Sequence, residues 1–295
     1  MKFDLLAGKL NFRPGASALL GFSLICKKLC YPESMKKITE FQDKLQFLAT
    51  DIDDTLTSKG LLEPEAFSAL WALHNKGIHV VPITGRPAGW CELIARQWPV
   101  AGVVGENGAF YFRYHQGKMH RQFAVPEHER LQSRNLLKKI EKEILTAVPE
   151  CAVASDQFCR LFDLAIDFCE DVSPLTKDRV QKIVEIFTKH GARAKVSSIH
   201  VNGWFGNFDK LTQTLFFLKQ EFQLDPERAK SIVGFCGDSP NDEPMFEFFP
   251  NSFGVSNIQN FLNDIKTKPT YVSDLPGGKG FSQICKQILS TESPL

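Results

Sequence analysis

The stretch Phe47-Leu48-Ala49-Thr50-Asp51-Ile52-Asp53-Asp54-Thr55-Leu56-Thr57 constrains the chain most: an apolar run stops abruptly in carboxylates interleaved with hydroxyls. A run bounded in this way reads as a buried strand whose C-terminal end is a site. Asp51, Asp53 and Asp54 oppose one another's ionisation, so a buried cluster of them calls for a cation or other partners. Ligands of open α/β sheets gather at the carboxyl ends of strands, which makes a divalent metal the natural countercharge there. An acidic turn, with Asp and Thr serving only turn and cap chemistry, fits the same residues.

At 295 residues the chain is long for one average domain, which points to a core with an inserted or appended second unit. A net charge of +1 gives no bulk reason to expect nucleic acid or an anionic membrane as partner. The 25 phenylalanines argue for a well-filled interior rather than disorder. The eight cysteines are scattered without a C-x-x-C pair, so reduced thiols in a cytoplasmic protein are the expectation. Residues 16–26 are apolar and follow Lys2, Lys9 and Arg13. That run has the length of a signal-peptide core but is too short for a membrane-spanning helix, and it meets Lys27 and Lys28 where a cleavage site would stand. Residues 1–44 are therefore expected to be a leader, poorly ordered or loosely docked, with Met35 a candidate start.

Beyond the Asp cluster, Pro64 and Glu65 open a helical pattern closed by Gly77, and residues 78–83 form an apolar strand ending in Thr84-Gly85-Arg86. This strand, helix, strand order is a βαβ unit with two polar strand ends side by side. The Thr84 hydroxyl and the backbone N–H groups after it can hold phosphate oxygens, or Thr84 can simply cap the helix that follows. Residues 103–109 read as a strand and a tight Glu106-Asn107-Gly108 turn, in which Asn and Gly supply positive φ. Across 110–201 the pattern changes to hairpin strands and amphipathic helices, with 161–167 and 192–201 read as strands. Here Arg160, with Ser155, Asp156 and Asp163, is the candidate to clamp a carboxylate or second phosphate, against the alternative of a surface ion pair. Lys210 opens a helix carrying Leu211, Leu215 and Leu218, and Gly237-Asp238-Ser239-Pro240-Asn241-Asp242 follows the apolar strand 232–236. Two carboxylates on one such loop can reach a hard cation directly or through water, or cap the next helix.

Taken in order, Asp51-x-Asp53-x-Thr55, Thr84, Lys210 and Gly237-Asp238-x-x-Asn241-Asp242 resemble the four motifs of the haloacid dehalogenase-like phosphohydrolase superfamily. The resemblance covers about residues 45–290 and is closest to the capped branch with the sucrose-phosphate, mannosyl-phosphoglycerate and trehalose-phosphate phosphatases. It implies an α/β fold: a Rossmann-like parallel-sheet core, 45–109 and 202–295, with an α+β cap inserted at 110–201. It also implies Asp51 as nucleophile, Asp53 as general acid and base, and Thr84 and Lys210 holding the transferring group. Asp51, Asp53, Asp238 and Asp242 would hold Mg²⁺, and Gly85, Asn107, Arg160 and Asn241 would join Thr84 and Lys210 around the substrate. The expected activity is Mg²⁺-dependent hydrolysis of a sugar or polyol phosphate through an aspartyl-phosphate. A phosphomutase and a non-catalytic phosphosugar-binding protein are the alternatives. The partner expected is a small phosphorylated molecule, with no nucleic acid or membrane.

Overall fold

The computed structural model describes residues 35–197 and 199–291. The first half of the core runs Lys36–Lys37 (β1), Phe47–Thr50 (β2), Pro64–Asn75 (α1), His79–Pro82 (β3), Ala88–Gln97 (α2) and Val103–Gly105 (β4). A hairpin follows, Phe110–His115 (β5) and Lys118–Phe123 (β6), turning through Gln116 and Gly117 at positive φ. Next come Glu127–Ala147 (α3), Ala152–Val153 (β7), Leu164–Asp167 (β8), Lys177–Lys189 (α4), Arg193–Val196 (β9) and His200–Trp204 (β10). The chain then returns through Lys210–Phe222 (α5), Pro226–Ile232 (α6), Val233–Gly237 (β11), Glu243–Phe248 (α7), Ser252–Gly254 (β12), Tyr271–Val272 (β13) and Gly277–Ser290 (α8).

Parallel strands covered on both faces need continuous apolar sequence, and β2 and β11 meet that need with every residue buried. They are neighbours in a parallel sheet of order β1-β13-β12-β11-β2-β3. Thr50 lies level with Cys236 on one side and Pro82 on the other, so Asp51, Asp238 and Thr84 emerge from the same edge. Below that edge Leu48, Leu70, Leu73, Val80, Phe253 and Phe281 fill an interior between the sheet and the packed helices α1 and α8.

The inserted unit is a second layered structure. Its antiparallel sheet, β7-β8-β10-β9, lays Leu164, Ile166 and Val201 against Ile140, Ile144, Ile183 and Phe187 of α3 and α4. Strand alternation turns Asp167, His200, Asn202 and Trp204 to the opposite face.

The structure redraws several boundaries. Residues 35–44 belong to the core: β1 pairs with β13, and Ile38, Phe41 and Met35 are buried, Phe41 edge-on to Phe253 at 5.0 Å. Burying three such side chains contributes roughly 1.5–3 kcal/mol each, enough to dock the segment. The remainder of the expected leader lies outside the described residues. The hairpin β5-β6, grouped with the cap on sequence, pairs with β4, which a parallel bridge from Ile83 to Val104 joins to the core sheet. Residues 192–201 break into two strands around Ser197, and the return to the core comes after Trp204. Helix α6, announced by the Asp225 cap on Arg228 N and by Pro226, was not anticipated. Among the described residues no helix is long and apolar enough to cross a membrane.

Candidate active site

The strand edge gathers the acids as their spacing suggested. Asp51 follows β2 directly, its backbone N–H bonded to Cys236 O, and Asp238 follows β11. Asp242 folds back from the next turn so that its Oδ2 accepts from Asp238 N at 3.1 Å. A Cβ at position 237 would lie 2.5 Å from that oxygen, so glycine is required there. Oxygen atoms of Asp51, Asp238 and Asp242 all lie within 4.8 Å of one another, and all three residues are buried.

Lys210, the first residue of α5, bridges this cluster: its Nζ donates to Asp51 Oδ1 at 2.7 Å and Asp242 Oδ1 at 2.8 Å. A lysine beside the positive end of a helix is unfavourable alone, and here two carboxylates offset it. Burial pulls Lys210 down, but Asp242 and Asp51 outweigh it and hold it above its ordinary value. Its position depends on Gly108, whose φ is +102° and whose absent Cβ would strike Asp209 O at 2.1 Å. The Glu-Asn-Gly turn thus packs against the start of α5, with Asn107 at φ 56°.

Lys210 does not balance three acids. Burial pushes Asp51 up to about 8, with Lys210 opposing and Asp242 and Asp53 adding to the rise. Asp238 is also pushed well above its ordinary value by burial and by Asp51 and Asp242, although Thr55 and Asn257 donate to it at 3.1 and 2.8 Å. An all-oxygen set of buried carboxylates short of positive charge fits a hard divalent cation such as Mg²⁺. Asp51 and Asp238 would hold it; Asp242 is already committed to Lys210 and to backbone N–H groups.

Asp53 lies apart from that cluster. Its carboxylate is held by Arg86, from Nε at 3.0 and 3.1 Å. Arg86 also contacts Glu170 at 2.9 Å and Asp156 at 3.6 Å, both on the cap, and stacks 4.5 Å from the Trp90 ring centre. Glu170 Oε2 lies 2.9 Å from His200 Nε2. That contact, against burial and with Arg86, brings Glu170 down to about 2. On sequence Arg86 could equally be a solvent-facing helix-start residue; the structure buries it among partners that are distant in the chain.

Other expected residues are placed differently. The Thr84 hydroxyl is fully buried and accepts from Arg86 N at 2.9 Å, a turn contact, while Gly85 and Arg86 line the cleft above Asp51. Asn241 lines that cleft too, its Oδ1 accepting from Ser239 Oγ at 2.7 Å. Arg160 is neither a clamp in this cleft nor a surface residue. Its side chain is fully buried, pairs with Asp156 at 3.0 Å and Asp163 at 3.1 Å, and donates to Gly85 O at 2.9 Å. Glu106, not singled out on sequence, accepts from Leu161 N, Phe162 N and Ala88 N at 2.8, 2.6 and 3.1 Å. Burial and Asp163 push it up to about 7 against those amides. Its grip also keeps residues 161–163 out of the strand expected there.

The cap loop closes tightly over Asp51 and Asp53: Ser197, His200 and Asn202 leave a cavity of about 20 Å³. That is room for a water molecule and not for a phosphoryl group, so this is a closed arrangement.

Residues 48–156 match the model of the haloacid dehalogenase-like hydrolase family. No curated protein matches the chain. Among solved structures it resembles Thermoplasma acidophilum 0175, with TM-score 0.64 and 18% identity over 83% of this chain and 99% of that one. A haloacid dehalogenase-like hydrolase from Bacteroides thetaiotaomicron matches with TM-score 0.59 and 14% identity over 83% and 100%. The sucrose-phosphatase of Synechocystis sp. PCC6803, solved with sucrose and phosphate, matches with TM-score 0.57 and 15% identity over 83% and 98%. Carboxylates on adjacent parallel strands, a lysine bridging them and a layered cap above are set in a chain that matches the haloacid dehalogenase-like hydrolase model over residues 48–156 and shares the fold of a solved haloacid dehalogenase-like hydrolase.

Proposed function

We propose that the protein is a metal-assisted phosphate monoester hydrolase acting on a small phosphorylated sugar or polyol in the cytoplasm. The observation that carries this reading is the Asp51-Lys210-Asp242-Asp238 cluster at one sheet edge, with Asp53 beside it and a cap closed over both. The likeness to a sucrose-phosphatase fold supports the substrate class.

Lys210 occupies Asp51 Oδ1 and leaves Oδ2 as the attacking oxygen. Attack on phosphorus forms an aspartyl-phosphate as the bond to the leaving oxygen breaks, and Asp53 supplies the proton that oxygen takes. Asp53 then removes a proton from water, which attacks the same phosphorus, frees Asp51 and yields inorganic phosphate. Lys210 offsets charge on Asp51 and on the phosphoryl oxygens throughout. A bound Mg²⁺ would supply further neutralisation between the carboxylates and the phosphoryl group. Closure of the cap excludes bulk water.

The test is a panel of sugar and polyol phosphates with Mg²⁺, reading both free phosphate and any isomerised sugar phosphate. Phosphate release that disappears on chelation is expected. Isomerised product without free phosphate would refute the hydrolase reading, and full activity in excess chelator would refute the metal.

A further inference from the structure

A second space opens between cap and core beside Lys210, with a volume of about 440 Å³. Its floor is Lys210, Asn107 and Asn241, and its roof is Arg193, Lys195 and Trp204 from the face of the cap sheet turned away from α3 and α4. Asn241 also lines the closed cleft over Asp51, so the two spaces adjoin.

The unpaired polar groups of the residues lining this space are donors and cations. Asn107 Nδ2 and Trp204 Nε1 are buried donors without a hydrogen-bond partner. A buried N–H left unpaired costs about 1–3 kcal/mol, and both donors belong to residues in the wall of this space, which favours an acceptor-bearing ligand beside them. Lys195 is exposed and has no acidic partner among the described residues. Arg193 donates to Phe208 O and to the Asn207 side chain, so its charge meets no carboxylate. Asp209 is the one acid of the lining, and its Oδ1 is committed to capping α5 at Thr212 N. Lys210 is paired with Asp51 and Asp242, but the unpaired donors of Asn107 and Trp204 and the two cations without anions, Lys195 and Arg193, reject an amine and favour a carboxylate or phosphate.

We infer that the leaving group of the substrate carries a second anionic group, a carboxylate or a further phosphate, seated between Lys195, Arg193 and the N–H groups of Asn107 and Trp204. This rests on the phosphatase reading and narrows it: the substrate is a phosphorylated sugar acid or a bisphosphate rather than a neutral sugar phosphate.

The experiment measures kcat/KM with Mg²⁺ on three matched substrates, glucose 6-phosphate, 6-phosphogluconate and fructose 1,6-bisphosphate, with p-nitrophenyl phosphate as the generic ester. An acidic substrate should exceed the neutral one by roughly tenfold or more, as expected for a charge-assisted contact. Which of the two acidic substrates leads distinguishes carboxylate from phosphate. Lys195→Glu should reverse the ratio of acidic to neutral substrate. Trp204→Phe, which keeps the ring stacked on Phe208 at 5.8 Å and removes only the N–H, should lower that ratio through KM. Hydrolysis of p-nitrophenyl phosphate with equal rates on neutral and acidic substrates, or a ratio unmoved by Lys195→Glu, overturns this inference alone. No hydrolysis of any ester overturns the phosphatase reading and this inference with it.

Discussion

Replacing Arg86 by methionine removes the one guanidinium on which Asp53, Glu170 and Asp156 converge. The side chain of Arg86 is only 6% exposed, and its partners are 22%, 29% and 11% exposed. Breaking a fully buried ion pair by removing one partner costs about 3–5 kcal/mol, and solvent at Asp53 and Glu170 reduces that here to about 2–4 kcal/mol. Because Asp53 stands on the core and the other two acids on the cap, the loss falls on cap closure and on the placement of Asp53 together. Expressed entirely in the reaction, it is a fall of roughly 30- to 1,000-fold in kcat/KM. Arg86→Lys should fall between parent and Arg86→Met, since an ammonium keeps the charge but cannot span three carboxylates as a planar fork does. The assay is phosphate release from the best ester, with a thermal midpoint for each variant to separate closure from global unfolding. Parent-level kcat/KM in Arg86→Met, with an unchanged midpoint, would refute the argument that Arg86 joins the acid/base to the cap.

Three further outcomes are expected. Asp51→Asn should abolish phosphate release while circular dichroism stays that of the parent, because the amide keeps the shape but not the nucleophile. Arg160→Ala should lower stability by about 3–5 kcal/mol in urea titration, since it leaves the buried Asp163 without its cation and Asp156 with only the 3.6 Å contact to Arg86. Glu170 is held at about 2 against an ordinary 4.5, so its contribution is complete above the ordinary value and is lost as pH falls toward the lower one. Accordingly, the stability gap between parent and Glu170→Gln, measured by denaturant titration, should be about 1–2 kcal/mol at pH 6 and should narrow as pH falls below the carboxylate range.

Legibility in the sequence followed how local each signal was. Asp51, Lys210, Asp238 and Asp242 could be read because each sits where an apolar strand or helix begins or ends, and parallel pairing then brings those ends together. Arg86 could not, because its charge is met by Glu170 and Asp156 across the fold. Arg160 looked like a clamp or a surface residue, and nothing nearby in the chain reveals that Gly85 O takes one of its donors. The apolar alternation over 161–167 resembled one strand, yet Glu106 claims the amides of its first three residues and the ladder begins only at Leu164. Phe41 and Ile38 gave an apolar signal of their own, overshadowed by the longer run upstream.

The Glu106 carboxylate has a consequence for how this protein can diversify. It holds the cap through main-chain amides of Leu161, Phe162 and Asp163, so these hydrogen bonds read no side chain, while Phe162 and Asp163 are fixed separately by aromatic packing and by Arg160. Only proline, which has no amide hydrogen, is barred from all three. A mechanical coupling made to the backbone asks nothing of the side chains on the sheet face over the cleft, which can acquire new selectivities while the joint that carries it stays the same.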